Sequence, residues 1–385
     1  MTDAPVRDLA VGATATVPPL PPVAAQGLPE VAWFGALCDD DYEYLGVADT
    51  ALASSFEHCR DITLATEAGG FDAILLPSGY ALGIDPVAFA AGVAPLLRQV
   101  QPLVAVRLGE LWVPQLARQL ATLDQMLGGR LLVNIISSDL PGQDLASEPR
   151  YRRTLETMTV LRSLLNGQAV SFHGEHLDVE VDPPRITTVS GVCPPFYFGG
   201  LSPAAREVAA QAADVYLMWP DTLSAVGAIA DDLRSRAAAR GRTLRFGYRV
   251  HVIVRPTEAE AREAARRLVS RLDTDTGAAI RDRSLDTASA GVARQGALRD
   301  EADDEGYVED NLWTGVGRAR SGAGAAIVGD PDQVRAKLDA YRELGIDAFI
   351  LSGYPHLDEC VRVARDVLAD YPHAPLRPVG SVRSA

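Results

Sequence analysis

From residue 31 onward the chain alternates short apolar runs with longer amphipathic stretches. VAWFGAL (31–37) has the pattern of a strand and residues 50–68 that of a helix. AILLPS (73–78) leads into PVAFAAGVAPLLRQV (86–100), with Pro86 near the helix start. LVAVRLG (103–109) leads into VPQLARQLATLDQML (113–127), which Gly128 and Gly129 close. LLVNIIS (131–137) precedes RYRRTLETMTVLRSLL (150–165), PFYFGG (195–200) precedes SPAAREVAAQAA (202–213), and VYLMW (215–219) precedes residues 223–240. LRFGYRVHVIVRP (244–256) precedes EAEAREAARRLVSRL (258–272). DPDQVRAKLDAYRELG (330–345) then leads into AFILSGY (348–354) and HLDECVRVARDVLA (356–369).

Each of eight strand candidates is thus followed by a helix candidate. Continuous Val/Ile/Leu runs separated by helices mark parallel strands buried on both faces. Eight such units in 385 residues predict an α/β fold, a (β/α)8 barrel with insertions, over residues 31–372. An extended arm over 1–30 precedes it and a tail over 373–385 follows. Two insertions break the regularity. Residues 166–194, with FHGEHLDVEVDPPRI, predict a short hairpin, and residues 274–329, with DEADDEG and GVGRARSGAGAAIVGD, predict a mobile lid.

The strand at 244–256 has two unlike faces: Phe246, Tyr248, Val250, Val252 and Val254 on one, Arg245, Arg249, His251 and Arg255 on the other. Alone it would suit an antiparallel strand with one wet face. Inside a barrel, Arg249 and His251 must instead point into the interior or its mouth.

A formal net charge of −15 disfavours nucleic acid and anionic membrane surfaces, which need a basic footprint. An anionic small ligand would require locally focused arginines or backbone N–H groups. Four cysteines without CxxC spacing predict a reduced, cytoplasmic setting. Residues 1–30 contain six prolines and no uninterrupted apolar core of a signal peptide, and no window approaches the roughly 20 apolar residues of a membrane span.

Barrel active sites are built at the C-terminal strand ends. Those ends carry residues 37–44, Ser78 to Tyr80, Arg107 to Glu110, Ser137 to Asp139, Gly199 to Ser202, Trp219, Arg249 with His251, and Tyr354 with His356. GVGRAR (315–320) is an incomplete dinucleotide fingerprint, since position 320 is Arg and no predicted strand directly precedes it. YFGGLSPAA (197–205) combines two glycines, a hydroxyl and a helix start, which suit a phosphate or simply a capped turn. His173 and His176 in HGEH have no third ligand nearby and read as surface polar residues, so no metal site is expected.

LPSG, ATLDQMLGGRLLVNI, PPFYFGG, RFGYRVHVIVR, NLWTGVGRARSGAGAAIVGD and LSGYPHLDE together resemble the FMNH2-dependent alkanesulfonate monooxygenases of the bacterial-luciferase-like flavin superfamily, from about residue 31 to about 370. The resemblance implies a two-component system in which a separate NAD(P)H:flavin reductase supplies reduced FMN. The reduced flavin captures O2 as a flavin peroxide, and the carbon–sulfur bond of an organosulfur substrate is cleaved to an aldehyde and sulfite. It further implies a homo-oligomer, dimer or tetramer. Arg249, His251, Arg320 and Tyr354 match the family's catalytic positions, Arg320 as a lid arginine. Tyr151, Gly199, Gly200, Leu201 and Ser202, with Arg107, Ser137 and Ser138 on neighbouring strand ends, fall in the cofactor region. Trp219, His356, Tyr80 and Asp39 fall where substrate is held.

Two loops depart from the family pattern. The first carries CDDDYEYLG (38–46) in place of a histidine-rich segment, adding Asp39, Asp40, Asp41 and Glu43. In the second, Tyr80 replaces an arginine and Leu82 a cysteine. If the carboxylates face the pocket, its mouth is less cationic and suits a neutral or positively charged substrate; if they face water, they set nothing. The leading expectation is a reduced-FMN-dependent monooxygenase of an organosulfur compound. The alternatives are the same chemistry on a sulfone, amine or biosynthetic intermediate, or a non-catalytic flavin carrier.

Overall fold

Short strands buried at nearly every position need cover on both faces, and helices provide it here. The computed structural model describes residues 27–376 except 81, 141, 144 and 282–288; most of the predicted arm and the last nine residues lie outside this range. The elements run β1 (Glu30–Phe34), α1 (Phe56–Ala68), β2 (Ala73–Leu76), α2 (Pro86–Val93), β3 (Gln101–Arg107), α3 (Val113–Met126), β4 (Leu132–Ile136) and α4 (Ser147–Leu165). They continue with β5 (Val170–His173), β6 (Asp178–Val181), β7 (Phe196–Phe198), α5 (Pro203–Ala212), β8 (Val215–Met218), α6 (Leu223–Ala238), β9 (Arg245–Val254) and α7 (Glu258–Leu268). The last part holds α8 (Thr274–Arg281), α9 (Ala290–Asp300), β10 (Tyr307–Glu309), β11 (Leu312–Trp313), β12 (Ala326–Gly329), α10 (Pro331–Glu343), β13 (Ala348–Ser352) and α11 (His356–Asp366).

Eight of these strands close into a parallel barrel in the order β9-β13-β1-β2-β3-β4-β7-β8, with β8 returning to β9. They are the eight strands that the sequence pattern predicts. β9 closes the ring because it is ten residues long: Arg245–Tyr248 pair with β8 while Gly247–His251 pair with β13. Alternation along each strand divides the apolar residues. Trp33, Ile74, Val104, Val133 and Phe246 face the helices. Ala32, Phe34, Ala73, Leu75, Leu103, Leu132, Val215 and Ile350 fill the interior.

The two insertions differ from each other. β5 and β6 form the expected antiparallel hairpin, and His173 Nδ1 meets Asp178 Oδ1 across it at 2.8 Å. The segment 274–329 is more regular than its sequence suggests: it holds two helices, the β10–β11 hairpin and β12. β12 adds in parallel to the C-terminal half of β9, Ala326 opposite His251 and Gly329 opposite Val254. The described part of the predicted tail is packed as well. Leu376 enters the interior cluster, its N–H donates to Glu30 Oε2 at 3.1 Å, and Ala374 N donates to Pro29 O.

Candidate active site

At the C-terminal end of the barrel the interior strand face changes from aliphatic to polar, and two adjoining cavities open there. The first encloses about 290 Å³ between the ends of β1, β2, β3, β9 and the segment 319–323. Arg107, Asn134, Arg249, Arg320 and Tyr354 supply its polar wall, Phe34 and Leu75 its floor, and Tyr80, two-thirds exposed, its rim. The second encloses about 320 Å³ and is lined by Ser137, Arg150, Tyr151, Gly199, Gly200, Leu201 and Ser202. Asn134, Ile136, Leu217 and Trp219 line both, so the two cavities share a wall.

Arg249 dominates the electrostatics of the first cavity. It is 3% exposed, its guanidinium lies 4.2 Å from the Phe34 ring centroid, and neither Nη atom has a hydrogen-bond partner. Burial, with Arg320 adding, pushes its pKa down to about 9, which still leaves it charged at neutral pH. Arg107 Nη1 is likewise buried and unpartnered. Arg320 is engaged: Nη1 donates to Asp40 Oδ2 at 2.6 Å and to the Tyr354 hydroxyl oxygen at 2.8 Å. That bond fills a lone pair of Tyr354 and leaves its O–H free to donate. Burial first of all raises the Tyr354 pKa, and Arg320 opposes it, so the phenol keeps its proton.

His251 stands behind this wall, stacked on Tyr354 with ring centroids 5.1 Å apart. Its Nδ1 meets Ser352 Oγ at 2.7 Å and its Nε2 is buried without a partner. Burial, then Arg249 and Arg320, holds its pKa well below the usual imidazole value, so the ring is neutral.

The second cavity is a cradle shaped by missing side chains. A Cβ on Gly199 would lie 2.4 Å from Leu217 O, and Gly200, at φ 147°, would bring one to 2.6 Å from the Ala205 Cβ. The Ser202 side chain caps α5 by accepting from Ala205 N, and Pro203 occupies the first turn. Tyr151 and Arg150, the latter paired with Asp139 at 2.7 Å, line the same cradle. Trp219 is wedged between the cavities by α9, where a Cβ on Gly291 would fall 2.8 Å from its ring.

The acidic first loop is spent on structure more than on the cavity. Asp39, in a left-handed conformation at φ 49°, uses Oδ1 to accept the Ser54 N–H. Asp41 is buried and takes His356 N and Nδ1, His58 Nε2 and Tyr42 N, contacts that overcome its burial and hold its carboxyl well below the usual range. Glu43 pairs with Arg267 at the surface. Asp39 and Asp40 both line the cavity, Asp39 with Oδ1 held by Ser54 N and Asp40 paired with Arg320, against the three arginines Arg107, Arg249 and Arg320. The mouth therefore retains a positive balance, in contrast to the anionic mouth that the loop's composition suggests.

Of the residues predicted for catalysis and substrate, Arg249, Arg320, Tyr354, Trp219, Tyr80 and Asp39 line the first cavity, as does Arg107. His251 and His356 do not; His356 is fully buried with Nδ1 on Asp41, edge-on to Tyr354. Of the predicted cofactor residues, Ser137, Tyr151, Gly199, Gly200, Leu201 and Ser202 line the second cavity, while Ser138 is buried behind it. Sequence reasoning missed Asn134, whose polar side chain interrupts the apolar run LVNII, and Arg150, at the start of α4 beside Tyr151.

Comparison with known proteins adds a chemical frame. Residues 44–348 match the family model described as luciferase-like monooxygenase. The chain is 61% identical over 354 residues to a sulfoquinovose monooxygenase of Novosphingobium aromaticivorans, covering 90% of this chain and 98% of the relative. It is 50% identical over 356 residues to a sulfoquinovose monooxygenase of Agrobacterium fabrum, covering 90% and 91%. Among solved structures, a riboflavin lyase crystallised with modified FMN and riboflavin superposes with a TM-score of 0.74 at 14% identity, covering 91% of this chain and 95% of the other.

Proposed function

The chain belongs to the luciferase-like monooxygenase family, and on that premise we propose that it is the oxygenase of a two-component system that uses reduced FMN and O2 to cleave the carbon–sulfur bond of an organosulfonate, sulfoquinovose first among candidates. The observation that carries this reading is Arg249, a buried guanidinium with both Nη atoms free inside a cavity that also holds Arg107 and Arg320. A guanidinium presents a planar donor fork to anionic oxygens, and a sulfonate supplies three.

Reduced FMN, delivered by a flavin reductase, supplies the two electrons that activate O2 when it is bound. The balance is R–CH2–SO3⁻ plus O2 plus FMNH2 giving R–CHO, HSO3⁻, FMN and water. Gly199 to Ser202, Tyr151 and Arg150 would hold the phosphate, and Ile136, Leu217 and Trp219 the apolar part of the cofactor. Arg249 fixes the sulfonate and stabilises negative charge as sulfite departs. Tyr354 donates through its O–H, and neutral His251 backs it by stacking on its ring without adding charge. The described parts of 274–320 serve as a lid: α8 contributes Ile280 to the first cavity wall, Ser289 to Gly291 line the second, and Arg320 reaches the first. A reduced, cytoplasmic setting is part of the same reading, and none of the four cysteines forms a disulfide. Among the described residues no helix is long and apolar enough to cross a membrane.

The test is sulfite release. Purified protein with a flavin reductase, NADH and FMN in air should liberate sulfite from sulfoquinovose, and none when FMN or O2 is withheld. NADH consumption with no sulfite from any sulfonate would overturn the reading.

A further inference from the structure

The cavity beside Arg249 contains one acidic oxygen that the fold does not use. Asp40 gives Oδ2 to Arg320, while its Oδ1 is buried without a hydrogen-bond partner, and the residue lines the cavity. Its position is fixed from both sides. Asp39 N donates to Ser54 Oγ at 2.7 Å and Asp39 Oδ1 accepts from Ser54 N at 2.8 Å, while Ser54 Oγ in turn donates to Ala36 O. On the other side Asp41 is tied to His58 on α1 and His356 on α11. Asp40 is thus an acceptor held in place before any ligand arrives, which spares the ordering cost of binding.

The cavity therefore has two chemically distinct walls. Arg249, with both Nη atoms buried and without a partner, and Arg107, with Nη1 free beside its Nε pairing to Glu110, offer only donors and suit the anionic end of a substrate. Asp40 Oδ1 offers only an acceptor and repels a sulfonate, so its complement is a hydroxyl. A straight-chain alkanesulfonate satisfies the first wall and covers the second with methylene, leaving a carboxylate oxygen desolvated and unpaired. A sulfonate carrying hydroxyl groups satisfies both. We propose that Asp40 is the specificity-determining residue of this site, accepting a hydrogen bond from a substrate hydroxyl and so selecting a polyhydroxylated sulfonate over an alkyl one. The inference rests on the sulfonate reading above and deepens it.

The experiment compares kcat/KM for sulfite release from sulfoquinovose and from hexane-1-sulfonate, using the enzyme with a flavin reductase, NADH and FMN. Wild type, Asp40→Asn and Asp40→Ala are each run on both substrates. Wild type should prefer sulfoquinovose by on the order of 100-fold or more, as expected where a buried polar group demands a hydroxyl. Asp40→Ala should lose at least about tenfold of that ratio, and Asp40→Asn less, since its amide can still donate to a hydroxyl oxygen. Asn can keep its carbonyl on Arg320 and turn its amide to the cavity, so it separates the hydroxyl contact from the Arg320 contact. Because both substrates are read on one preparation, the ratio is independent of how much of a variant folds. A wild-type ratio near one, or variants that slow both substrates alike, would overturn the proposal while leaving the sulfonate reading intact. Sulfite from neither substrate in wild type would overturn the sulfonate reading itself, and this inference with it.

Discussion

Arg249 sits where a folded protein gains least from a charge. It is buried, its Nη atoms lack partners, and the nearest compensation is the face of Phe34. A cation over an aromatic ring recovers about 2 kcal/mol when desolvated, less than the several kcal/mol that burying an ion costs. The residue is therefore held at the expense of stability, as functional groups often are. Arg249→Met keeps the volume and removes the charge. It should raise the thermal midpoint, corresponding to about 1–3 kcal/mol, while kcat/KM for a sulfonate falls on the order of 100-fold or more. Calorimetry and sulfite assays read the two effects; a lower midpoint together with unchanged turnover would contradict this account of the residue. Its placement was legible in the sequence, because period-2 alternation in RFGYRVHVIVR put it on the face opposite Tyr248 and Val250. The partners of the four loop carboxylates were not, since Asp40 meets Arg320 across 280 positions and Asp41 meets His356 across 315.

At the scale of elements, runs such as AILL and VYLM announced barrel strands because both faces are covered and nothing charged dilutes the signal. β12 escaped because AIVG is four residues at the end of a glycine-rich run, and α9 because AGVARQGALRD buries only Gln295 and Leu298. The closing of the barrel floor by the chain's end also had no sequence signal. There Tyr197 donates to Glu30 Oε1 at 2.7 Å and Leu376 N donates to Oε2. Burial raises the Glu30 pKa to about 7, with its hydrogen bonds opposing. The folded state thus favours protonated Glu30, so the stability it contributes is complete below the unfolded pKa near 4.5 and is lost as pH rises through about 7. The thermal midpoint should fall between pH 6 and pH 9, by the equivalent of about 1.4 kcal/mol at most, and Glu30→Gln should flatten that slope. Equal slopes in both proteins would remove Glu30 from the account.

The whole molecule carries a net charge of −15, yet its barrel mouth gathers Arg107, Arg249 and Arg320 around one cavity with Arg150 at the next. Asp40 and Glu110 are the carboxylates paired with that cluster at the first cavity. A local positive site in a negative field favours an anion small enough to enter and gives nucleic acid no extended surface. On the proposed reading, the two cavities, which share Asn134, Ile136, Leu217 and Trp219, take the cofactor phosphate in one and the substrate anion in the other. The most direct test is the structure of the protein with FMN and sulfoquinovose bound together under anaerobic, reducing conditions. The account predicts the phosphate against Gly199 to Ser202 and Tyr151, with the sulfonate oxygens on the Arg249 Nη atoms. A sulfonate bound away from Arg249, or a phosphate seated in the cavity of Arg249 and Arg320, would contradict it.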